Sequence, residues 1–338
     1  MHLSTEQRLV RPLRTGLLPC LLAASLLAAP GAPPGGLLRL ERSFDAMGTT
    51  YTVVAYGEDR FAVDAAIEES YEEVRRLDRM LSNYRADSEW SRVNREAARR
   101  PVEVSEELFR LLEKCLEYSR ASEGAFDITV GPLMKLWGFY KGSGRVPHRA
   151  EIRAALARIG WQKIRLDPKT RTVRFDAPVE MDPGGIGKGY AVDRMAEILR
   201  ARGVRSALIS AGRSSIYGIG APPSEPRGWR VTVPDPRRPS RTAAEFYLKD
   251  SSMSTSGTSE KFFVAGGRTY SHIMDPRTGY PAQGMLLAAV LAPKTLDSEA
   301  WTKPYFVLGR EWAARRKPKQ FQVFLCEDRS ENACVYLP

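Results

Sequence analysis

Apolar positions recur along this chain with two periods, three-to-four and two, so helices and strands interleave from near residue 49 to the C-terminus. Ile67, Tyr71, Val74, Leu77 and Leu81 fall three or four apart within 62–81 and mark the buried stripe of a helix. A second helix is predicted from Ser105, a hydroxyl N-cap followed by Glu106 and Glu107. It runs through Leu108, Leu111, Leu112, Cys115 and Leu116 to a stop near Gly124. The β-rich run 49–55 reads as a strand closing at Gly57. Alternation at 164–166 and 173–175, around the turn-forming Asp167-Pro168, predicts a hairpin leading to Met181-Asp182. A Gly-rich turn over 183–189 then opens a helix with Tyr190, Val192, Met195, Ile198 and Leu199 inward, which Gly203 ends before a strand at 207–210. The order strand, Gly turn, helix, strand suits a phosphate site. Strands at 228–233 and 244–248 and a last helix near 298–308 complete a mixed α/β (α+β) pattern. With no internal repeat, and no linker after residue 40, residues 37–338 read as one domain.

Ahead of that domain, Arg8, Arg11 and Arg14 precede an apolar run at 16–29 that Pro30 and the Pro/Gly stretch 31–36 end. The run is shorter than the roughly 20 residues a membrane span needs, so 1–36 reads as a signal segment with a linker, cleaved after its Ala-rich end. The expected location is exported: periplasmic, or on the outer face of the cytoplasmic membrane, with peripheral membrane association left open. Cys20 lies inside the apolar run without a small residue before it and reads as leader. Cys326 and Cys334 bracket a polar turn between the runs 321–325 and 335–337, a hairpin that could set them face to face. Whether they are bridged stays open; Cys115, inside a helical pattern, reads as core.

Charge narrows the partners only slightly. Lys and Arg number 51 against 40 Asp and Glu, a net +11 that favours polyanions: nucleic acid, anionic lipid or a dinucleotide pyrophosphate. Much of the excess is scattered Arg with no aromatic interleaving, so it reads as a solvated basic surface with no nucleic-acid partner.

The chemistry concentrates in two stretches. In Asp182-Pro183-Gly184-Gly185-Ile186-Gly187-Lys188-Gly189-Tyr190-Ala191-Val192-Asp193 the glycines let backbone approach a phosphate, the following helix aims N–H groups at it, and Lys188 adds a cation. The spacing is neither GxGxxG nor a Walker A loop, so nicotinamide and P-loop readings lose support. In Tyr270-Ser271-His272-Ile273-Met274-Asp275-Pro276-Arg277-Thr278-Gly279-Tyr280-Pro281, preceded by Thr255-Ser256-Gly257, His272 is one of three histidines and stands three residues before a carboxylate able to orient it.

Three further blocks accompany them: Ala46-Met47-Gly48-Thr49; Leu81-Ser82-Asn83-Tyr84-Arg85 with Asp87-Ser88-Glu89 and Asn94; and 124–133 leading to Trp137-Gly138-Phe139. In this order the five blocks resemble the ApbE family, the FAD:protein FMN transferases. The resemblance implies an α/β fold that binds FAD in a flavin-nucleotide cleft with a divalent ion, usually magnesium, beside the pyrophosphate. It also implies a reaction that splits FAD into AMP and FMN and passes FMN to a Thr or Ser hydroxyl of an exported acceptor protein. An FAD pyrophosphatase, releasing FMN and AMP, and a catalytically silent flavin binder are the alternatives. On that resemblance His272 is the general base, Asp275 its orienter and Lys188 a phosphate ligand. Met47, Tyr84, Ala125, Phe126, Asp127, Tyr190 and Ile273, with Lys188 and His272, match positions lining the flavin nucleotide.

Two departures stand out. Family members place an Asp four residues before a Thr or Ser near the start of the final helix, and a carbonyl of the Gly turn joins them on the metal. Here those positions hold Glu299 and Lys303, with Thr302 adjacent. The candidate ligands are the Gly187 carbonyl, Glu299 and Thr302, but an ammonium cannot ligate a cation. Three outcomes stay open: Thr302 ligates after a one-residue shift, Lys303 takes over the ion's electrostatic role, or the ion is lost. The second departure is Gly212-Arg213-Ser214-Ser215, where Gly-Gly-Asp is usual.

Overall fold

The strand read at 49–55 is one arm of a hairpin, because Met47 and Gly48 adopt left-handed backbone (φ 50° and 70°) and fold the chain back on itself. In this computed structural model residues 36–140, 142–329 and 334–338 are described; the signal segment expected over 1–36 lies outside them apart from Gly36. The hairpin pairs β1 (Leu38–Ala46) with β2 (Thr49–Gly57) and starts an eight-stranded antiparallel sheet. Its other strands are β3 (Ser206–Ala211), β4 (Ser215–Ile219), β5 (Ser251–Gly257), β6 (Met285–Ala292), β7 (Gln322–Glu327) and β8 (Cys334–Leu337). They lie side by side in chain order, and everything else is inserted between them.

The long inserts supply α1 (Arg60–Leu81), α2 (Glu89–Glu96), α3 (Glu106–Ala121), α4 (Gly131–Leu136), α5 (Arg149–Leu156), α6 (Gly187–Ala201) and α7 (Thr295–Arg316). The predicted stripe of α1 is buried: Ile67, Tyr71, Val74, Leu77 and Leu81 join Tyr51, Val53 and Ala55 of β2 in the main core. Helices α6 and α7 add Val192, Met195, Leu199, Tyr305 and Phe306 to it. The opposite sheet face is covered by the hairpin of Trp229–Pro234 and Thr242–Leu248, whose Trp229, Val231 and Val233 pack with Met253, Leu291 and Phe324. A smaller cluster round Trp137 holds Leu133, Ile152 and Met274 together, and its indole N–H donates to the Gly279 carbonyl (2.9 Å). The predicted hairpin at 164–175 forms, with Ile164–Asp167 antiparallel to Thr172–Phe175.

Several strands escape the hydropathy pattern, and for three of them the physical reason is plain. β1 is an edge strand with Leu38, Arg39 and Glu41 exposed, so it carries little apolar signal. β5 reads Ser-Ser-Met-Ser-Thr-Ser-Gly yet is largely buried, because its hydroxyls are spent on α7. Ser252 and Ser254 meet Ser298 Oγ at 3.0 and 2.8 Å, and Ser256 donates to Thr302 Oγ1 (2.8 Å). β6 is a continuous apolar run without alternation. Conversely, the segment leading to Met181-Asp182 is no strand of the sheet; its backbone groups are taken by side chains and by the Ile128 carbonyl. The last helix is longer than predicted and breaks at Gly309 (φ 79°), which folds Trp312 back onto Trp301 and Tyr305.

Cys326 and Cys334 are bridged across β7 and β8, and Cys115 is buried in the core. Among the described residues no helix is long and apolar enough to cross a membrane. The bridge closes a short loop at a sheet edge, so reducing it should cost about 2–3 kcal/mol. Thermal melts with and without dithiothreitol check this, and an unchanged Tm would refute it.

Candidate active site

Helix α6 begins inside the Gly-rich turn, and the turn is gripped at both ends. At the first end, Met181 N–H donates to Asn94 Oδ1 (2.8 Å), and the Met181 carbonyl accepts from Asn94 Nδ2 (2.9 Å) and Trp90 Nε1 (3.1 Å). Asp182 N–H donates to the Ile128 carbonyl (2.6 Å). The buried Asp182 carboxylate accepts from Gly184 N–H (2.5 Å) and from the Tyr140 hydroxyl. Burial raises its pKa above the usual carboxylate range, against the pull of those two hydrogen bonds.

At the second end two carboxylates exchange between helices. Asp193 of α6 accepts from the first N–H groups of α7, Thr295 (2.7 Å) and Leu296 (2.9 Å). Glu299 of α7 accepts from Gly189 N–H of α6 (2.5 Å). Each helix caps the other. Burial holds Asp193 up at about 6, with the two backbone donors opposing. Gly189 permits the approach: a Cβ there would stand 2.6 Å from the Thr295 carbonyl oxygen and 2.8 Å from Glu299 Oε2.

Between these anchors the turn gathers donors able to hold an anion. The N–H groups of Gly185 and Lys188 have no hydrogen-bond partner among the described residues. Lys188 Nζ donates to Ser214 Oγ (2.5 Å), in the loop between β3 and β4. Lys303 Nζ donates to the carbonyls of Glu299 (2.9 Å) and Gly185 (3.3 Å), bringing α7 to the same turn. Burial lowers the Lys303 pKa to about 8; the Glu299 carboxylate opposes this and the Lys188 cation adds to it.

His272 lies within electrostatic reach of both Lys188 and Lys303. Its Nδ1 lies 3.2 Å from the Lys261 carbonyl, and its backbone N–H donates to the same oxygen (3.0 Å). A carbonyl only accepts, so Nδ1 carries the proton and Nε2 the lone pair. Burial pushes the imidazole pKa down to about 4; the Lys261 carbonyl opposes, and the charges of Lys303, Lys261 and Lys188 push further down. His272 is therefore a neutral imidazole at physiological pH, and its Nε2 has no partner among the described residues. A cavity of about 490 Å³ lined by Phe139, Tyr140, Lys261, Phe262 and Phe263 opens beside it.

The expected flavin-lining residues divide. Met47 packs on the turn, its Cε 3.1 Å from where a Cβ on Gly187 would be, and its sulfur accepts from the Tyr51 hydroxyl (3.2 Å). Phe126 lies under Gly185, its Cε2 3.3 Å from such a Cβ, and edge-on to Tyr118. Ala125 and Ile273 are buried. Tyr84 is 81% exposed and edge-on to Tyr140, which ties it to Asp182 and the turn. Tyr190 is half-buried, and its hydroxyl donates to Glu107 of α3 (2.8 Å).

Three expected roles are changed by the geometry. Asp275 does not orient His272; its carboxylate is bidentate to Arg277 (2.9 and 2.9 Å) and accepts Arg277 N–H (3.0 Å), building the turn. Asp127 is committed mainly within the protein, accepting from Thr129 N–H (2.8 Å), Thr129 Oγ1 (2.7 Å) and Trp161 N–H (2.9 Å), which leaves one lone pair on Oδ2. The donor set expected for a metal does not fit one. One oxygen of Glu299 is taken by Gly189 N–H, while Thr302 Oγ1 donates to the Glu299 carbonyl (2.7 Å) and accepts from Ser256. The turn carbonyl beside Lys303 belongs to Gly185 rather than Gly187. Among the described residues no cluster of three His, Cys, Asp or Glu side chains could hold an ion.

The sequence pattern gives no role to Asp193, Tyr140 or Lys261, and marks Ser214 only as a departure from the usual aspartate. Asp193 stood inside the Gly-turn motif, where a buried acid one helical turn beyond Gly189 is a capping signal; Lys261 carries no local signal at all.

These features define an α+β protein built round an anion site with a neutral imidazole beside it. The ApbE family model matches residues 47–325. An FAD:protein FMN transferase of Klebsiella pneumoniae is 32% identical over 84% of this chain and 88% of its own. One of Treponema pallidum is 31% identical over 95% and 92%. Among solved structures, the ApbE protein of Thermotoga maritima superposes with a TM-score of 0.78 at 30% identity, over 87% of this chain and 97% of its own. The Pseudomonas stutzeri flavinyl transferase ApbE, in its apo form, gives 0.75 at 29%, over 89% and 94%. This chain belongs to the ApbE family.

The Gly189 contact yields a direct test. Gly189→Ala should lower stability by about 1–3 kcal/mol and weaken FAD binding as well, because α6 must move off α7. Denaturant unfolding and flavin titration report the two effects; a variant with parent-like values on both would show that the approach is not needed.

Proposed function

We propose that this chain is an FAD:protein FMN transferase that moves FMN from FAD to a Thr or Ser hydroxyl of an acceptor protein and releases AMP. The observation that carries the reading is the convergence of unpartnered backbone N–H groups, two lysines and a neutral histidine on one turn. The pyrophosphate is the part of FAD that such a site grips: Lys188 and Lys303 offset its charge, and the N–H groups of Gly185 and Lys188 point at it. The flavin ring fits the aromatic side bounded by Phe139, Tyr140 and Phe263.

Transfer forms a bond from the acceptor hydroxyl oxygen to the FMN phosphorus and breaks the bond from that phosphorus to the bridging oxygen, which leaves on AMP. The hydroxyl proton passes to His272 Nε2. Positioning and charge offset supply most of the rate, since phosphoryl transfer asks little covalent chemistry of the protein. The basic leader at the N-terminus supports an exported acceptor, with the enzyme periplasmic or on the outer face of the cytoplasmic membrane and peripheral to it. Magnesium, which the family resemblance suggests, finds no fitting donor set here, and no step above uses it.

Co-expression with a Thr-bearing acceptor domain should add one FMN phosphoester to the acceptor by intact mass; free FMN and AMP without labelled acceptor would instead identify a hydrolase. His272→Ala should lose roughly 10²–10⁴-fold in transfer while FAD affinity holds. The pH profile follows from the same group. Protonation removes the base, so kcat/KM, which reports the free enzyme, should keep this base active until the pH nears 4. Bound anionic FAD favours the imidazolium, so the acid limb of kcat should lie at higher pH than that of kcat/KM.

A further inference from the structure

We infer that the Lys303 ammonium is the resident cation of the diphosphate site, so that FAD binding and cleavage by this chain require no divalent ion. The inference rests on the FAD reading given above and goes beyond it. Its first support is placement. Lys303 Nζ reaches across from α7 to the Gly185 carbonyl while holding the Glu299 carbonyl of its own helix, so two of its three N–H donors are fixed. The third has no partner among the described residues and is left for a ligand oxygen. The lysine stem is seated: its Cε would lie 3.7 Å from a Cβ on Gly185, in the gap that Gly185 shares with Phe126.

The second support is the state of the groups that an ion would need. Glu299 spends an oxygen on Gly189 N–H, and Thr302 both donates and accepts within the protein. A divalent ion beside Gly185 would meet the ammonium head-on, with Lys188 already adding like charge nearby. The same substitution that removes a hydroxyl ligand thus fills the space with a tethered positive charge, which needs no recruitment from solution.

Flavin fluorescence titration of the parent protein, in EDTA and in millimolar magnesium, tests this without any variant. Equal FAD affinity and equal AMP release in both are expected; binding or cleavage that appears only with magnesium overturns the inference. Lys303→Met should weaken FAD binding in EDTA by about 10- to 100-fold, and unchanged affinity in a folded variant also overturns it. The double variant Glu299→Asp/Lys303→Thr should acquire a magnesium requirement for binding and AMP release; continued function in EDTA counts against the inference. Failure of the transferase reading looks different: FAD binds alike in both buffers, yet neither AMP nor labelled acceptor appears.

Discussion

Two helices that cap one another with buried carboxylates hold this site in place. Asp193 of α6 neutralises the N-terminal donors of α7, and Glu299 of α7 takes an N–H from the first turn of α6. Neither carboxylate could be buried alone at tolerable cost, since an unpaired charge in the interior forfeits its hydration. Because each is satisfied by the other helix, the two helix ends are locked in one relative position. The Gly turn hangs from that junction and Lys303 projects from it, so the anion site inherits its geometry from an exchange of caps.

The electrostatics of the site are correspondingly one-sided. Lys188, Lys261 and Lys303 surround an imidazole that burial already keeps neutral, and each raises the cost of protonating it. Of the nearby carboxylates, Asp182 is fastened to the turn and Tyr140, Asp275 to Arg277 and Glu299 to Gly189, which leaves Glu260, on the cavity wall beside Lys261, against the three lysines. The site is therefore charged for a ligand carrying several negative oxygens, and such a ligand would lift the basicity of the histidine as it binds. Ser214 fits this picture: where an aspartate is usual, a hydroxyl holds Lys188 without cancelling its charge.

The sequence showed the framework best where one surface is wet and the other dry. The stripe of α1, the hydroxyl cap and stripe of α3 and the hairpin at 164–175 were legible because periodicity records a two-sided environment. β5 was not, since its serines are buried by bonding to α7 and hydropathy counts them as polar. In the site, the Gly turn, Lys188 and His272 could be read from local pattern, and Met47 and Phe126 do pack against the turn. The roles of the acids could not: Asp127 and Asp275 brace their own turns through N–H groups two residues on, and Asp127 and Glu299 also serve N–H groups 34 and 110 positions away. A carboxylate looks the same in sequence whether it awaits a ligand or braces a loop.

The exchange of caps also sets an order of events during synthesis. Gly189 waits for a partner 110 residues downstream, and Asp193 for donors 102 and 103 residues on. Closing loops of that length comes late in folding, after local helices and hairpins have formed. Until α7 emerges, the nascent chain has the glycines and the first lysine but neither the brace nor the second lysine that complete the pocket. Cofactor capture is thus deferred to the finished polypeptide, and a truncated product would be unable to sequester flavin.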